Sequence, residues 1–179
     1  RMWPPGATAF FIKALHRTRD LFRTKSSLDY MGSLEKLIEQ QKAKYNGTSG
    51  WQFFVTGHSL GGGLAGIVGA RQNLEAVAFS PPGLMLSRKK FDLTLRNLAR
   101  YSVAVVPTRD PVPLVDVHFG LVQHTICNRS VPILCHVLGS MICDLLARCG
   151  DEGHDRFLSC TTDDSLSNTA GLWAKILSR

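Results

Sequence analysis

Gly57-His58-Ser59-Leu60-Gly61 sets a serine between two glycines, directly after a strand-forming run and directly before small apolar residues. G-x-S-x-G between a strand and a helix is the pattern of a nucleophile elbow. The turn is tight enough to hold Ser59 in a strained backbone conformation. Gly57 and Gly61 flank it because a Cβ at either place is expected to collide with the neighbouring strand or helix. The backbone N–H of Leu60, at the start of the helix, is the candidate oxyanion donor, helped by the helix's positive end. A phosphate-binding loop needs a Lys followed by Ser or Thr at this point, and Leu60 to Leu64 contains neither. The remaining alternative is a strand–helix turn with no chemistry.

A serine hydroxyl is a poor nucleophile until a base removes its proton, and the base needs an acid to orient it. Asp110 comes four residues after Val106, at a strand end stiffened by Pro107, Pro111 and Pro113. It is the candidate acid, with Asp116 as the alternate. Six histidines compete for the base. His16 lies far upstream on an expected helix surface. His58 sits inside the elbow and is expected to support the turn from beneath. His118 follows Asp110 too closely to come from a separate loop. His136 begins a cysteine-flanked helix. His154 lies in a Gly-containing loop, Gly150-Asp-Glu-Gly-His-Asp-Arg-Phe157.

The elements that must position these groups alternate between strand and helix. Leu28, Met31, Leu34, Leu37, Ile38 and Gln41 follow helical spacing, with Ser27 as N-cap and Gly47 as stop. Trp51 to Thr56 reads as a buried strand and Leu60 to Gln72 as a helix whose small face can sit close on a sheet. Ala76 to Ser80 is a second strand, Phe91 to Leu98 a short helix or turn, and Tyr101 to Val106 a third strand. Pro111 to Asn128 reads as loop or β. Pro132 to Cys149 reads as one amphipathic helix stopped by Gly150. Short helices are also expected around Ala14 to Phe22 and near Leu172. Such alternation argues for a mostly parallel sheet with flanking helices.

The 179 residues carry a formal net charge of +7 and are 44% hydrophobic. The basic residues are dispersed, with no dense run interleaved with aromatics, so a nucleic-acid face is not expected; a solvated surface is, with weak attraction to anionic lipid as the alternative. No apolar run reaches the roughly 20 residues of a membrane span, and no signal peptide is visible. Cys127, Cys135, Cys143, Cys149 and Cys160 all fall in the late part of the chain without a C-x-x-C. That clustering favours local disulfides over zinc, and with them an oxidising compartment. Asn46-Gly-Thr48 and Asn128-Arg-Ser130 have the form of glycosylation acceptors.

Taken together, Gly57 to Gly62 and Asp110-Pro-Val-Pro113 resemble the elbow and acid loop of the class 3 (fungal-type) lipases. The similarity is closest to the branch of autophagic-body lipases and their protist relatives. There, an elbow, Ala78-Phe-Ser-Pro-Pro-Gly83, the Asp110 segment, a Cys-His pair like Cys135-His136 and a Cys-Gly-Asp like Cys149 to Asp151 follow in the same order. The resemblance spans roughly residues 28 to 155. It implies one α/β-hydrolase domain over 1–179, with a core at about 28–155 and a loosely ordered tail at 156–179. In this class His124 matches a histidine that is not the base. The base comes from a loop well downstream of the acid, which points to His154 by position, with His136 as the alternative by motif. The second oxyanion donor of the class sits on an upstream strand with an Arg-Gly-Thr-like segment. Arg17-Thr18-Arg19 lacks the glycine, so the expectation is an N-terminally truncated domain.

The implied activity is that of a serine esterase on glycerolipids (triacylglycerol, diacylglycerol or phospholipid), acting through an acyl-enzyme at a lipid or membrane surface. No metal or organic cofactor is required, and oligomeric state is left open. The implied location is the secretory pathway, a lytic vacuole or a membrane surface. Leu84, Met85, Leu86, Leu114, Phe119 and Leu121 are candidates for acyl-chain contact, or alternatively core. The rival readings are an impaired lipase-fold protein that binds lipid or a partner, and a hydrolase of the same fold acting on peptides or soluble esters.

Overall fold

A computed structural model describes residues 30–45 and 50–149. In chain order these form helix α1 (Tyr30–Lys44), strand β1 (Phe54–His58), helix α2 (Leu60–Gln72), strand β2 (Glu75–Phe79), a 3-10 turn (Arg88–Phe91), helix α3 (Leu95–Tyr101), strand β3 (Ser102–Pro107), a 3-10 turn (Val112–Leu114), strand β4 (Leu121–Thr125), a 3-10 turn (Pro132–His136) and helix α4 (Leu138–Cys149). The strands form one sheet in the order β1-β2-β3-β4. β1 and β2 run parallel from Phe54 opposite Glu75 to His58 opposite Phe79. β2 and β3 run parallel from Ala76 opposite Ser102 to Phe79 opposite Val105. The chain divides into two compact units, one of residues 1–105 with 112–123 and one of residues 106–111 with 124–179.

In the first unit, α2 is the packing centre. A helix with five glycines in thirteen residues has poor intrinsic propensity, so close tertiary fit must hold it. A Cβ on Gly69 would lie 2.7 Å from the Ala76 Cβ and 3.1 Å from Val55 Cγ2, so only glycine lets the helix approach β1 and β2 this closely. The helix ends at Asn73, in the left-handed region (φ 55°), whose N–H donates to the Gly69 carbonyl. The Asn97 amide donates to the Ala70 carbonyl at 3.0 Å and satisfies another of its last acceptors. Ile67, Ala70, Leu93 and Leu98 form the buried cluster, with Met31, Leu84, Phe91 and Phe119 packed on it. Met31 thus brings α1 onto α2. An exposed Arg71–Glu35 pair at 2.7 Å and a Lys42 bond to the Gln72 carbonyl at 3.2 Å guide the docking and contribute under about 1 kcal/mol each.

In the second unit, a disulfide joins Cys127 and Cys135, eight residues apart. Cys143 is also disulfide-bonded, and Cys149 is an exposed free thiol. Arg129 stands 3.9 Å from Asp144 of α4.

Three expectations change and one is sharpened. β1 starts at Phe54, and Phe54 and Thr56 are exposed among the described residues, while α2 packs on the strand. The element expected over Phe91 to Leu98 is two pieces, since Asp92 turns left-handed (φ 54°) and Thr94 caps α3 by accepting the Asn97 N–H at 3.1 Å. The loop-or-β stretch resolves into a 3-10 turn and β4. The single helix expected over Pro132 to Cys149 breaks at Val137, which is extended (φ −67°, ψ 126°). The helical spacing belongs to α4 alone; the stretch before it is governed by ties at Cys135 and His136, described below. Ser27, Gly47, the helices expected near Ala14 and Leu172, and the tail lie outside the described residues. Among those described, no helix is long and apolar enough to cross a membrane.

Candidate active site

Ser59 follows β1 directly and precedes α2, where the sequence places it. Its backbone sits at φ 58°, ψ −126°, a region that costs a non-glycine residue about 1–3 kcal/mol. Two bonds hold it there. The Ser59 N–H donates to the Phe79 carbonyl at 2.9 Å, and the Ser59 carbonyl accepts the Gly63 N–H at 3.1 Å. The hydroxyl makes no capping bond to its own helix. Leu60 is the first helical residue and is 72% exposed.

The glycines around Ser59 divide differently from the expectation. A Cβ on Gly57 would lie 2.3 Å from the Gly61 carbonyl oxygen, so this position does require glycine. Among the described residues, a Cβ on Gly61 would meet nothing within 4 Å. The second close approach is at Gly62, whose Cβ would lie 2.9 Å from the Gly57 oxygen and 3.2 Å from Pro81 Cβ.

Asp110 and His136 belong to the second unit. Asp110 comes three residues after the end of β3. Its carboxylate is fully buried and lies 3.0 Å from His136 Nδ1. In the neutral tautomer whose Nδ1–H donates to this carboxylate, Nε2 is the acceptor nitrogen. The His136 side chain remains 17% exposed. A buried acid on one imidazole nitrogen is part of the arrangement a general base requires.

The acid's turn is held tightly. The Thr108 N–H donates to the Thr125 carbonyl at 2.7 Å and the Asp110 N–H to the Pro107 carbonyl at 3.3 Å. The Cys127 N–H donates to Thr108 Oγ1 at 2.9 Å. Arg109, in the left-handed region at φ 69°, donates to the Arg129 carbonyl at 2.6 Å and the Ser130 carbonyl at 3.2 Å. Sequence reasoning did not single out Thr108 or Arg109. The only available signal was the Thr108-Arg109 pair ahead of an aspartate between prolines, and their partners lie some twenty residues away.

The other candidates fall out as follows. Asp116 is spent on a loop: it accepts the Leu86 N–H at 2.9 Å, the Ser87 N–H at 3.1 Å and the Ser87 hydroxyl at 2.8 Å. His58 closes β1, and His124 is exposed on β4. His16 and His154 lie outside the described residues. Leu84 and Phe119 pack on the core cluster, whereas Leu86, Leu114 and Leu121 are exposed. Burial pushes the Asp144 carboxyl above its ordinary value, against the opposing pull of Arg129 and Arg148. Among the described residues no group of His, Cys, Asp and Glu could hold a metal ion.

Residues 7–119 match the family described as Lipase (class 3), a span that includes Ser59 and Asp110. Relatives bearing the name "Putative lipase ATG15" include one from Debaryomyces hansenii, 40% identical over 105 residues, covering 54% of this chain and 16% of the relative. Another, from Kluyveromyces lactis, is 32% identical over 87 residues, covering 46% of this chain and 16% of the relative. A third, from Candida glabrata, is 38% identical over 66 residues, covering 37% and 12%. The chain therefore spans under a fifth of the length of the curated relatives it matches. With more than half its residues matched and a parallel sheet flanked by helices, the chain belongs to the class 3 lipase family and has its α/β-hydrolase fold.

Proposed function

We infer that the protein is a serine esterase acting on glycerolipids, with Ser59 as nucleophile, His136 as base and Asp110 as orienting acid. The observation that carries this reading is the 3.0 Å bond from His136 Nδ1 to a fully buried Asp110 carboxylate, because it supplies what a strained serine alone lacks. In the reaction, His136 Nε2 takes the Ser59 hydroxyl proton as the oxygen attacks the ester carbonyl. The Leu60 N–H stabilises the oxyanion. His136 then hands the proton to the leaving alcohol, and water resolves the acyl-enzyme by the same route in reverse. His136 takes the base's role ahead of His154 because it is the histidine with an acid on Nδ1 among the described residues.

The family match and the names of the relatives support a lipid ester as substrate. The exposed Leu60, Leu86 and Leu114 are suitable contacts for acyl chains. Triacylglycerol, diacylglycerol and phospholipid all fit this chemistry, at a lipid or membrane surface. The disulfide supports an oxidising location, in the secretory pathway, a lytic vacuole or at a membrane. Exposed Asn128 is a candidate glycosylation site there. Chain-length dependence on nitrophenyl esters tests the substrate class. Rates that rise with acyl length and with an interface support a lipase, and equal rates on short soluble esters contradict it.

A further inference from the structure

We propose that Thr108 and the Cys127–Cys135 disulfide are positioning elements that hold His136 on Asp110, acting on turnover through that pair. The proposal rests on the reading of His136 as base. The two residues of the pair are linked by a short path through the second unit. Asp110 stands two residues from Thr108, whose hydroxyl accepts the Cys127 N–H at 2.9 Å. Cys127 is bonded to Cys135, and Cys135 immediately precedes His136. Both half-cystines are 1% exposed.

Little else in the local backbone fixes the imidazole. His136 ends a five-residue 3-10 turn, a form that does not sustain itself. Within it the Leu134 N–H reaches the Val131 carbonyl at 3.0 Å and the Val137 N–H the Leu134 carbonyl at 3.3 Å. Val137 is extended, so α4 does not carry its register back to His136. Two ties bear on the ring's direction: the disulfide one residue before it and the carboxylate in front of it. The acid's side of the same path is stiffened by Arg109, whose positive φ is compensated by its bonds to the Arg129 and Ser130 carbonyls. A catalytic base must be held to within about 0.5 Å of its productive position, and a 1 Å displacement costs on the order of 10² in rate.

The test uses the full chain labelled with ¹⁵N-histidine. It compares wild type with Thr108→Val, Thr108→Ser and the Cys127→Ser/Cys135→Ser pair. The downfield Nδ1–H resonance of His136, assigned by its loss in His136→Ala, reports the bond to Asp110 directly and needs no turnover. Expected results are a lost or exchange-broadened resonance in Thr108→Val and in the double serine variant, with wild-type behaviour in Thr108→Ser. In the two altered variants kcat falls by about 10–100-fold while KM stays within about twofold. In an Asp110→Asn background, adding Thr108→Val lowers the fluorophosphonate labelling rate by less than about twofold, because the link is already cut. A retained resonance with wild-type kcat in both altered variants overturns the proposal. So does a full additional loss in the Asp110→Asn background, which would assign these residues to folding alone. Should the double serine variant not fold, Thr108→Val, which keeps the disulfide, decides the matter. A His136→Ala protein with wild-type turnover refutes the base reading instead, while the resonance still reports whether the ties position the ring.

Discussion

Asp110 and His136, 26 residues apart in the chain, meet through a 3.0 Å bond between a carboxylate oxygen and Nδ1. The acid is sealed from solvent and the imidazole is partly open. A buried carboxylate with this partner fixes both the ring's tautomer and its direction, which is what a base on a lone serine needs.

The strain at Ser59 predicts a trade between stability and chemistry. Ser59→Gly removes the penalty of φ 58°, ψ −126° and is expected to stabilise the protein by about 1 kcal/mol. Ser59→Ala keeps the strain. Both variants lose hydrolysis. Urea unfolding monitored by tryptophan fluorescence, beside an ester assay, checks the pair.

The glycines beside the serine are expected to behave oppositely. Gly57→Ala forces a Cβ onto the Gly61 carbonyl and should cost about 3 kcal/mol or more. Gly61→Ala meets no described residue within 4 Å and, as alanine in a helix, should be neutral or stabilising by up to about 1 kcal/mol. Thermal melts of the two variants separate the cases.

Much of this was legible in the residues. The strand–serine–helix turn shows itself because close approach demands glycine, and Leu60–Gln72 forms a helix over the whole span its small residues suggest. The position of Asp110 just after a strand was legible. Which histidine faces it was not. His136 lay within a helical spacing that belongs only to the residues after Val137, and its placement depends on a disulfide and a threonine bond that no periodicity records. Asp116 was the alternate acid in the sequence, and its oxygens are taken up by Leu86 and Ser87.

Ser140 is fully buried, and its hydroxyl has no hydrogen-bond partner among the described residues. An unpaired buried hydroxyl costs about 1–3 kcal/mol. Ser140→Ala should therefore raise the melting temperature with no change in turnover, as differential scanning calorimetry would show.

Asp144 predicts a signed pH effect. Its carboxyl is raised in the fold by burial, so the folded chain holds the proton more tightly than the unfolded one. The ionised form thus destabilises the protein above the folded pKa, and this penalty fades as pH falls through it. Asp144→Asn should raise Tm at neutral pH, and the difference from wild type should shrink toward acid. A constant difference across the pH series would contradict the effect.

The central claim is that Ser59 is activated by His136. Its most direct measurement is covalent labelling by a fluorophosphonate, mapped by mass spectrometry, in wild type, Ser59→Ala, His136→Ala and His154→Ala. The account predicts an adduct on Ser59, absent from Ser59→Ala, slowed at least about a thousandfold in His136→Ala and unchanged in His154→Ala. Undiminished labelling in His136→Ala, or its loss in His154→Ala alone, would contradict it.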